Sequence, residues 1–266
     1  QITFERLQYW GTYLKYRKMV SVTAIIQARM GSTRFPGKSL RPIAGLPLLE
    51  HIINRLKQVP EIDLILLAIP ENETESPLIE FAHRLHIPLF QGSEEDVLDR
   101  FIKAGESVQT EHLVRVCGDN PLIDIPLLRS LIQAHLTDKA DYTLPQDPVP
   151  LGSACEVVRL AALKKINELA KSSIYREHVT TWFHEHPSSF RIKRINVPDY
   201  LKNHTFRLTV DTDQDFQIMD ELFNNLTHSP ESPLNLETVI EYLIAHPETV
   251  ALNIDIPQKN WRKENH

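Results

Sequence analysis

Residues 22–40, VTAIIQARMGSTRFPGKSL, constrain this chain more than any other stretch. Positions 22–26 are apolar and rich in β-branched side chains, the pattern of a buried strand. They empty into a polar loop carrying Arg29, Arg34, Lys38, Gly31 and Gly37. Such a loop is suited to hold phosphate. Glycine lets backbone N–H groups approach an anion closely, while arginine forks and a lysine point charge neutralise it. A basic turn after a core strand is the plainer alternative, yet three cations and two glycines between positions 29 and 38 exceed what turn chemistry requires. The loop is not a Walker A motif. Five residues, 32–36, separate Gly31 from Gly37-Lys38-Ser39 where that motif has four, and Pro42 and Pro47 interrupt the segment where a Walker loop opens into a long helix.

Beyond the loop, strand and helix patterns alternate. Strand signals at 64–69, 87–90 and 113–117 are interleaved with helix signals at 47–59, at 77–85 capped by Ser76, from Ser93 and Asp96 to about 108, and at 126–136. This order predicts an α/β fold with a doubly wound, mostly parallel sheet and right-handed crossovers, which binds ligands beyond the carboxyl ends of its strands. After Asp141 the order changes. A proline-laden linker, PQDPVPLG, precedes a strand at 154–158, helices at 160–170 and 174–186, and a strand at 190–195; residues 145–200 read as an insertion or subdomain. A strand at 206–210 ends at Asp211, and the next helix has Thr212 as N-cap and Asp215 at its third position; a last helix spans 236–245.

At 266 residues and 42% hydrophobic content the chain can build one large α/β domain or two small ones. A net charge of −6 argues against a general nucleic-acid binder, so the positive charge of the loop belongs to a site. Cys117 and Cys155 lie in apolar contexts and point to a reducing, cytoplasmic setting, and no apolar run reaches membrane-spanning length. Residues 1–19 are aromatic, basic and unlike the rest of the chain, with Met19 a natural start, so they read as an N-terminal extension; 254–266 reads as a C-terminal tail.

Asp119 and Asp211 each sit just past an apolar strand, in VCGDNP and LTVDTDQD. Two carboxylates at neighbouring strand ends can hold a hard divalent cation beside phosphates; the alternative is that Asp119 closes a turn and Asp211 serves the helix after it. Asp124 either holds the loop after Asp119 or approaches the metal. Asp96 and Arg100 have the spacing of an exposed helix pair. Arg176 can bind a substrate carboxylate bidentately and His178 can orient it, or both belong to a solvated helix face. His184-Glu185-His186 lacks zinc-helix spacing and reads as surface.

These residues also carry a family resemblance. The segment at 25–40 resembles the "AR-x-GS-x-R-x-PGK-x-L" signature of the sugar cytidylyltransferases, which include the CMP-KDO and CMP-acylneuraminate synthetases, and is most similar to the spore coat polysaccharide biosynthesis protein F-like branch. The resemblance implies a nucleotide-diphospho-sugar transferase-like, Rossmann-type domain over 20–253, with the insertion serving dimerisation or substrate binding and a homodimer as the assembly. It implies that Arg29 and Lys38 hold the triphosphate of CTP, with Ala28, Gly31, Ser32 and Arg34 in the same loop. Asp119 and Asp211 match the family's metal ligands, which implies Mg2+. GSEEDVLDR resembles the branch's "GS-x-x-DVLDR", implying that Arg100 and Asp99 touch nucleotide or sugar. Tyr175 to Thr180 resembles its "REHVT", and Glu156 matches a branch position of unstated role. The implied reaction joins CTP to an acidic sugar, a nonulosonic acid or KDO, and releases pyrophosphate. One departure concerns the base: Cys117 stands where the KDO-activating branch has glutamine. A glycosyltransferase using a nucleotide sugar and a non-catalytic polysaccharide-assembly protein remain the alternatives.

Overall fold

A computed structural model describes residues 21–32 and 34–257; the expected extension at 1–19, and the tail from 258 onwards, lie outside the described residues. In chain order, β1 (Val22–Gln27) leads through the cationic loop and a small antiparallel ribbon, β2 (Pro42–Ile43) and β3 (Leu46–Pro47), into α1 (Leu48–Leu56). Then come β4 (Leu64–Pro70), α2 (Ser76–Arg84), β5 (Leu89–Gly92), α3 (Val97–Ser107), β6 (His112–Cys117), α4 (Ile125–Thr137) and β7 (Tyr142–Pro145). The remainder comprises β8 (Glu156–Arg159), α5 (Leu160–Leu169), α6 (Ser173–Glu177), α7 (Thr181–Glu185), β9 (Ile192–Ile195), α8 (Asp213–Asn225), α9 (Leu236–Ala245) and α10 (Pro247–Ala251).

Seven strands form one sheet in the order β5-β4-β1-β6-β8-β7-β9. Only β8 runs against its neighbours, so the sheet is mostly parallel, as the alternating pattern predicts. Strand β1 is central and buried on both faces: Val22, Ala24 and Ile26 join one core cluster and Ile25 the other. The larger cluster takes side chains from α1, α2, α4, α8 and α9, the smaller from α3, α5 and α7, so helices cover both faces. From β1 the chain moves outward to β4 and β5, then returns to place β6 on the other side of β1. The loops after β1 and β6 therefore diverge and leave a crevice at the carboxyl edge. Residues 145–200 add β8 and β9 to this same sheet.

Four local expectations change. The strand expected at 87–90 begins at Leu89, because His86 takes φ 55° and Pro88 has no N–H for the ladder. Ser76 lies inside α2 and bonds back to the Glu73 carbonyl at 2.8 Å, while Asn72 caps the short turn before it. The helix expected at 174–186 is two, broken at His178, where ψ is 81°, ahead of a β-branched run from Val179 to Thr181 that disfavours helix. Residues 206–210 are extended but join no sheet. They make a single bridge, Leu151 to Arg207, alongside a loop whose Pro148 and Pro150 cannot donate to a ladder. Among the described residues no helix is long and apolar enough to cross a membrane.

At the amino edge of the sheet His112 Nδ1 meets His135 Nε2 at 3.0 Å, and His135 Nδ1 meets Thr143 Oγ1 at 2.8 Å. Burial pushes both imidazole pKa values down, that of His135 to about 3. A folded value below the ordinary 6.5 means that the pair's contribution is complete above pH 6.5 and is lost as the pH falls from there. Between pH ~6.5 and ~5, above the carboxylate range, stability measured by urea unfolding should fall by up to about 1.4 kcal/mol per pH unit for each proton taken up. His135→Gln should flatten that slope. A variant with the wild-type slope would contradict the assignment.

Candidate active site

The cationic loop is closed by its own backbone: the Met30 carbonyl accepts the N–H groups of Ser32 at 2.9 Å and Gly37 at 3.0 Å. Gly37 has φ 71°, which a β-carbon would resist, and it turns the chain into the short helical turn Lys38–Leu40. Two contacts hold the loop from outside. The Arg41 guanidinium lies 4.6 Å from the Phe35 ring centre and 4.4 Å from that of Phe216 on α8, and it pairs with Asp213 at 3.3 Å. On the other side the Glu75 carboxylate accepts the Met30 N–H at 2.9 Å, its pKa raised by burial.

Across the crevice, β6 gives way to Gly118, whose N–H bonds to the Gln27 carbonyl at 2.8 Å. A β-carbon there would stand 2.7 Å from that oxygen, so glycine is what lets the β6 loop close onto the end of β1. The next residue, Asp119, accepts the Val210 N–H on its carbonyl at 2.8 Å, which brings the 206–210 segment and Asp211 alongside.

Lys38 Nζ stands at the junction, 2.9 Å from Asp119 Oδ2, 2.8 Å from Asp211 Oδ1 and 2.7 Å from the Val210 carbonyl. Arg34 and Arg207 reach Asp211 Oδ2 at 3.1 and 2.9 Å. Burial opposes the charge on Lys38, but Asp119 and Asp211 outweigh it and raise its pKa. Burial likewise opposes ionisation of Asp211, and Lys38, Arg34 and Arg207 outweigh it and lower its pKa. Lys38, Arg34, Asp119 and Asp211 thus meet in one place.

The other residues singled out by sequence lie around this junction or apart from it. Ala28 is buried beneath the loop, and Gly31 is at its open edge, where among the described residues no atom beyond its chain neighbours stands within 4 Å of a β-carbon's position. Ser32 Oγ accepts the Phe35 N–H at 3.4 Å. Arg29 is exposed, and its charge adds to burial in lowering the pKa of Arg100. Arg100 is 2% exposed, donates to the Ser93 carbonyl at 2.6 Å and leaves its Nε without a partner; it is not a surface pair with Asp96. Asp99 pairs with Lys103 at 2.8 Å. Arg176 binds Asp96, the N-cap of α3, through Nε and a terminal nitrogen, and Asn167 through the other. His178 is half-buried at the break between α6 and α7. Glu156 accepts bonds from Arg115, Tyr142 and Thr180. Asp124 caps α4 through the Leu127 N–H at 2.7 Å and accepts the Tyr200 hydroxyl at 2.7 Å, so both of its oxygens hold the loop. Of the 184–186 segment read as surface, Glu185 and His186 are exposed, whereas His184 is half-buried with its ring edge-on to Tyr142 at 5.7 Å.

A family model described as cytidylyltransferase matches residues 23–247. The chain belongs to the cytidylyltransferase family. It is 37% identical over 218 residues to the spore coat polysaccharide biosynthesis protein SpsF of Bacillus subtilis, covering 80% of this chain and 90% of that one. Its fold is similar to that of a cytidylyltransferase from Leptospira borgpetersenii, with TM-score 0.80 and 26% identity over 87% of this chain and 97% of the other. It also resembles a CMP:2-keto-3-deoxy-manno-octonic acid synthetase solved with CTP, at TM-score 0.60 and 18% identity, over 77% and 98% of the two chains. The chain is therefore a sugar cytidylyltransferase homologue of the SpsF-like branch, and the crevice where Lys38 joins Asp119 and Asp211 is its candidate active site.

Sequence reading missed Arg207. Its Nε donates to Asp215 Oδ1 at 2.8 Å, and one terminal nitrogen reaches both Asp211 and Asp215. Asp215 does more than cap: besides closing the capping box with Thr212 it accepts Asn253 Nδ2 at 2.9 Å and the Asp211 N–H at 2.9 Å. The signal was an arginine inside an apolar run, FRLTV, and Arg115 in LVRVC has the same form. Because Asp215 is fully buried, Arg207→Ala should cost about 3 kcal/mol of stability by stranding that carboxylate. Urea unfolding near pH ~7 checks this, and a loss below about 1 kcal/mol would show that Asp215 does not depend on Arg207.

Proposed function

We propose that the protein transfers a cytidylyl group from CTP to a hydroxyl of an acidic sugar, a nonulosonic acid or a KDO-like one, releasing pyrophosphate and leaving a CMP-sugar. The observation that carries this reading is the convergence of Lys38 with Asp119 and Asp211 at the crevice, next to a loop with two further arginines. In-line attack on the α-phosphorus requires positioning and charge neutralisation and little covalent help from the protein. Arg29 and Arg34 would meet the β- and γ-phosphates, and the N–H groups around Gly31 would face them. Lys38 would lend its charge where the leaving oxygen develops negative charge.

The donor set suits a divalent cation. Among the described residues no cluster of three or more His, Cys, Asp or Glu side chains is arranged to hold a metal. Two carboxylates with the phosphates and water are, however, the usual holding of Mg2+. Asp119 and Asp211 would hold it, and when bound it would supply neutralisation of phosphate charge and alignment of the nucleophile. CTP as donor is supported by the family; Cys117 offers no amide to read a base. A role in surface or spore-coat polysaccharide synthesis is supported by the likeness to SpsF.

Incubation with each nucleoside triphosphate, Mg2+ and a panel of acidic sugars should release pyrophosphate with CTP. Asp119→Ala or Lys38→Ala should lower the rate by about a hundredfold or more. Pyrophosphate release with ATP but never with CTP would refute the base, and liberation of a nucleoside diphosphate from a sugar nucleotide would make the protein a glycosyltransferase.

A further inference from the structure

A cleft of about 330 Å3 opens beside the Lys38 junction, walled by Arg115, Cys117, Asn120, Gly152, Cys155 and Glu156 under the proline-rich loop. It adjoins the candidate active site through the turn after β6: Cys117 is the last residue of that strand, and Asn120 comes directly after Asp119. An acceptor in this cleft would lie next to the carboxylates that face the α-phosphate.

Arg115 is the one cation among the described residues lining the cleft. Its side chain is 22% exposed, and among the described residues one of its five N–H donors is engaged, at 3.0 Å to Glu156 Oε2. Its Nε is buried without a partner. Glu156 is by contrast largely engaged: one oxygen accepts the Tyr142 hydroxyl and the other accepts Arg115 and, at 3.0 Å, Thr180 Oγ1. Tyr142 is itself stacked on Phe183 with ring centres 4.5 Å apart. The wall therefore presents a guanidinium with unused donors, held from behind by a carboxylate that is itself held by Tyr142 and Thr180. A carboxylate can accept from the terminal N–H groups of such a fork with a charge assistance that a neutral acceptor lacks. Arg176, the arginine that sequence offers for this task, has all three nitrogens engaged by Asp96 and Asn167.

We propose that Arg115 determines acceptor specificity by binding the acceptor's carboxylate, with Glu156, Tyr142 and Thr180 as positioning residues that fix its guanidinium. This rests on the acidic-sugar reading of the same site. The fork explains why the carboxylate matters: it orients the sugar so that one hydroxyl faces the phosphate, and the Thr180 bond ties that orientation to the break between α6 and α7.

The test uses the full chain with CTP, Mg2+, 2-keto-3-deoxy-manno-octonate, N-acetylneuraminate and the methyl ester of each acid. Arg115→Gln should raise KM for whichever acid the wild type turns over by about tenfold or more, leave KM for CTP within about twofold, and erase the preference for acid over ester. Arg115→Lys, which keeps the charge and loses the fork, should recover part of the acid's affinity. In the wild type, the nitrogen-15 signal of the Arg115 Nε–H should shift when the acid is added and stay in place with the ester, a readout that needs no variant. Wild-type turnover of an acid together with an unchanged KM in Arg115→Gln, or an unmoved Nε–H signal, would overturn the role of Arg115 and leave the acidic-sugar reading intact. Turnover of neutral sugars or sugar phosphates but of neither acid would overturn that reading and the role of Arg115 with it.

Discussion

The structure depends on one ammonium group held between two carboxylates. Lys38 comes from the turn after β1, Asp119 from the end of β6 and Asp211 from an extended segment outside the sheet, and the three meet within hydrogen-bond distance. Positive charge between and around the two carboxylates offsets their mutual repulsion and lowers the pKa of Asp211 against the effect of burial. Arg34 and Arg207 complete that neutralisation on the outer oxygen of Asp211. The arrangement also explains how the molecule is tied together, because Lys38 joins two carboxylates from distant parts of the chain, and removing it takes away the cation paired with Asp119. A divalent cation and a triphosphate bring the same kinds of charge to the same carboxylates and cations, so a site balanced without ligands is also one that ligands can re-balance.

Everything else positions these groups. The switch in strand order beside β1 opens the crevice, and the close approach of Gly118 to β1 sets its width. Arg41, wedged between Phe35 and Phe216, fastens the loop to α8, and the N-terminus of α8 is in turn fixed by Asp215 and Arg207. Support for Asp211 is thus buried and rigid, while Arg29 and Gly31 lie at the open edge. Rigid acids and an accessible cationic rim suit a reaction in which alignment supplies most of the rate.

Much of this was legible in the sequence because its signals are local. The β-branched run before the loop, the interleaved helix stripes and the Thr212–Asp215 capping pair each depend on neighbours in the chain, and each is present. The strand-end position of Asp119 was legible for the same reason. What sequence could not show depends on distant partners. Residues 206–210 have strand composition, but proline in the facing loop denies them a ladder. Arg100 has the spacing of a surface pair and is instead buried against the Ser93 carbonyl. Arg176 looks free for a substrate and is bonded to Asp96, eighty positions away. Arg207 and Arg115 were hidden inside apolar runs, where a charge is tolerated only because a carboxylate from elsewhere meets it.

The central claim is that the two carboxylates gathered by Lys38 serve one bound metal–nucleotide complex. A crystal structure of the protein with CTP and Mn2+, recorded at the manganese absorption edge, tests it most directly. The account predicts an anomalous peak in contact with carboxylate oxygens of both Asp119 and Asp211, with the triphosphate against the loop at 28–38. Manganese bound elsewhere, or a triphosphate lying away from that loop, would contradict it.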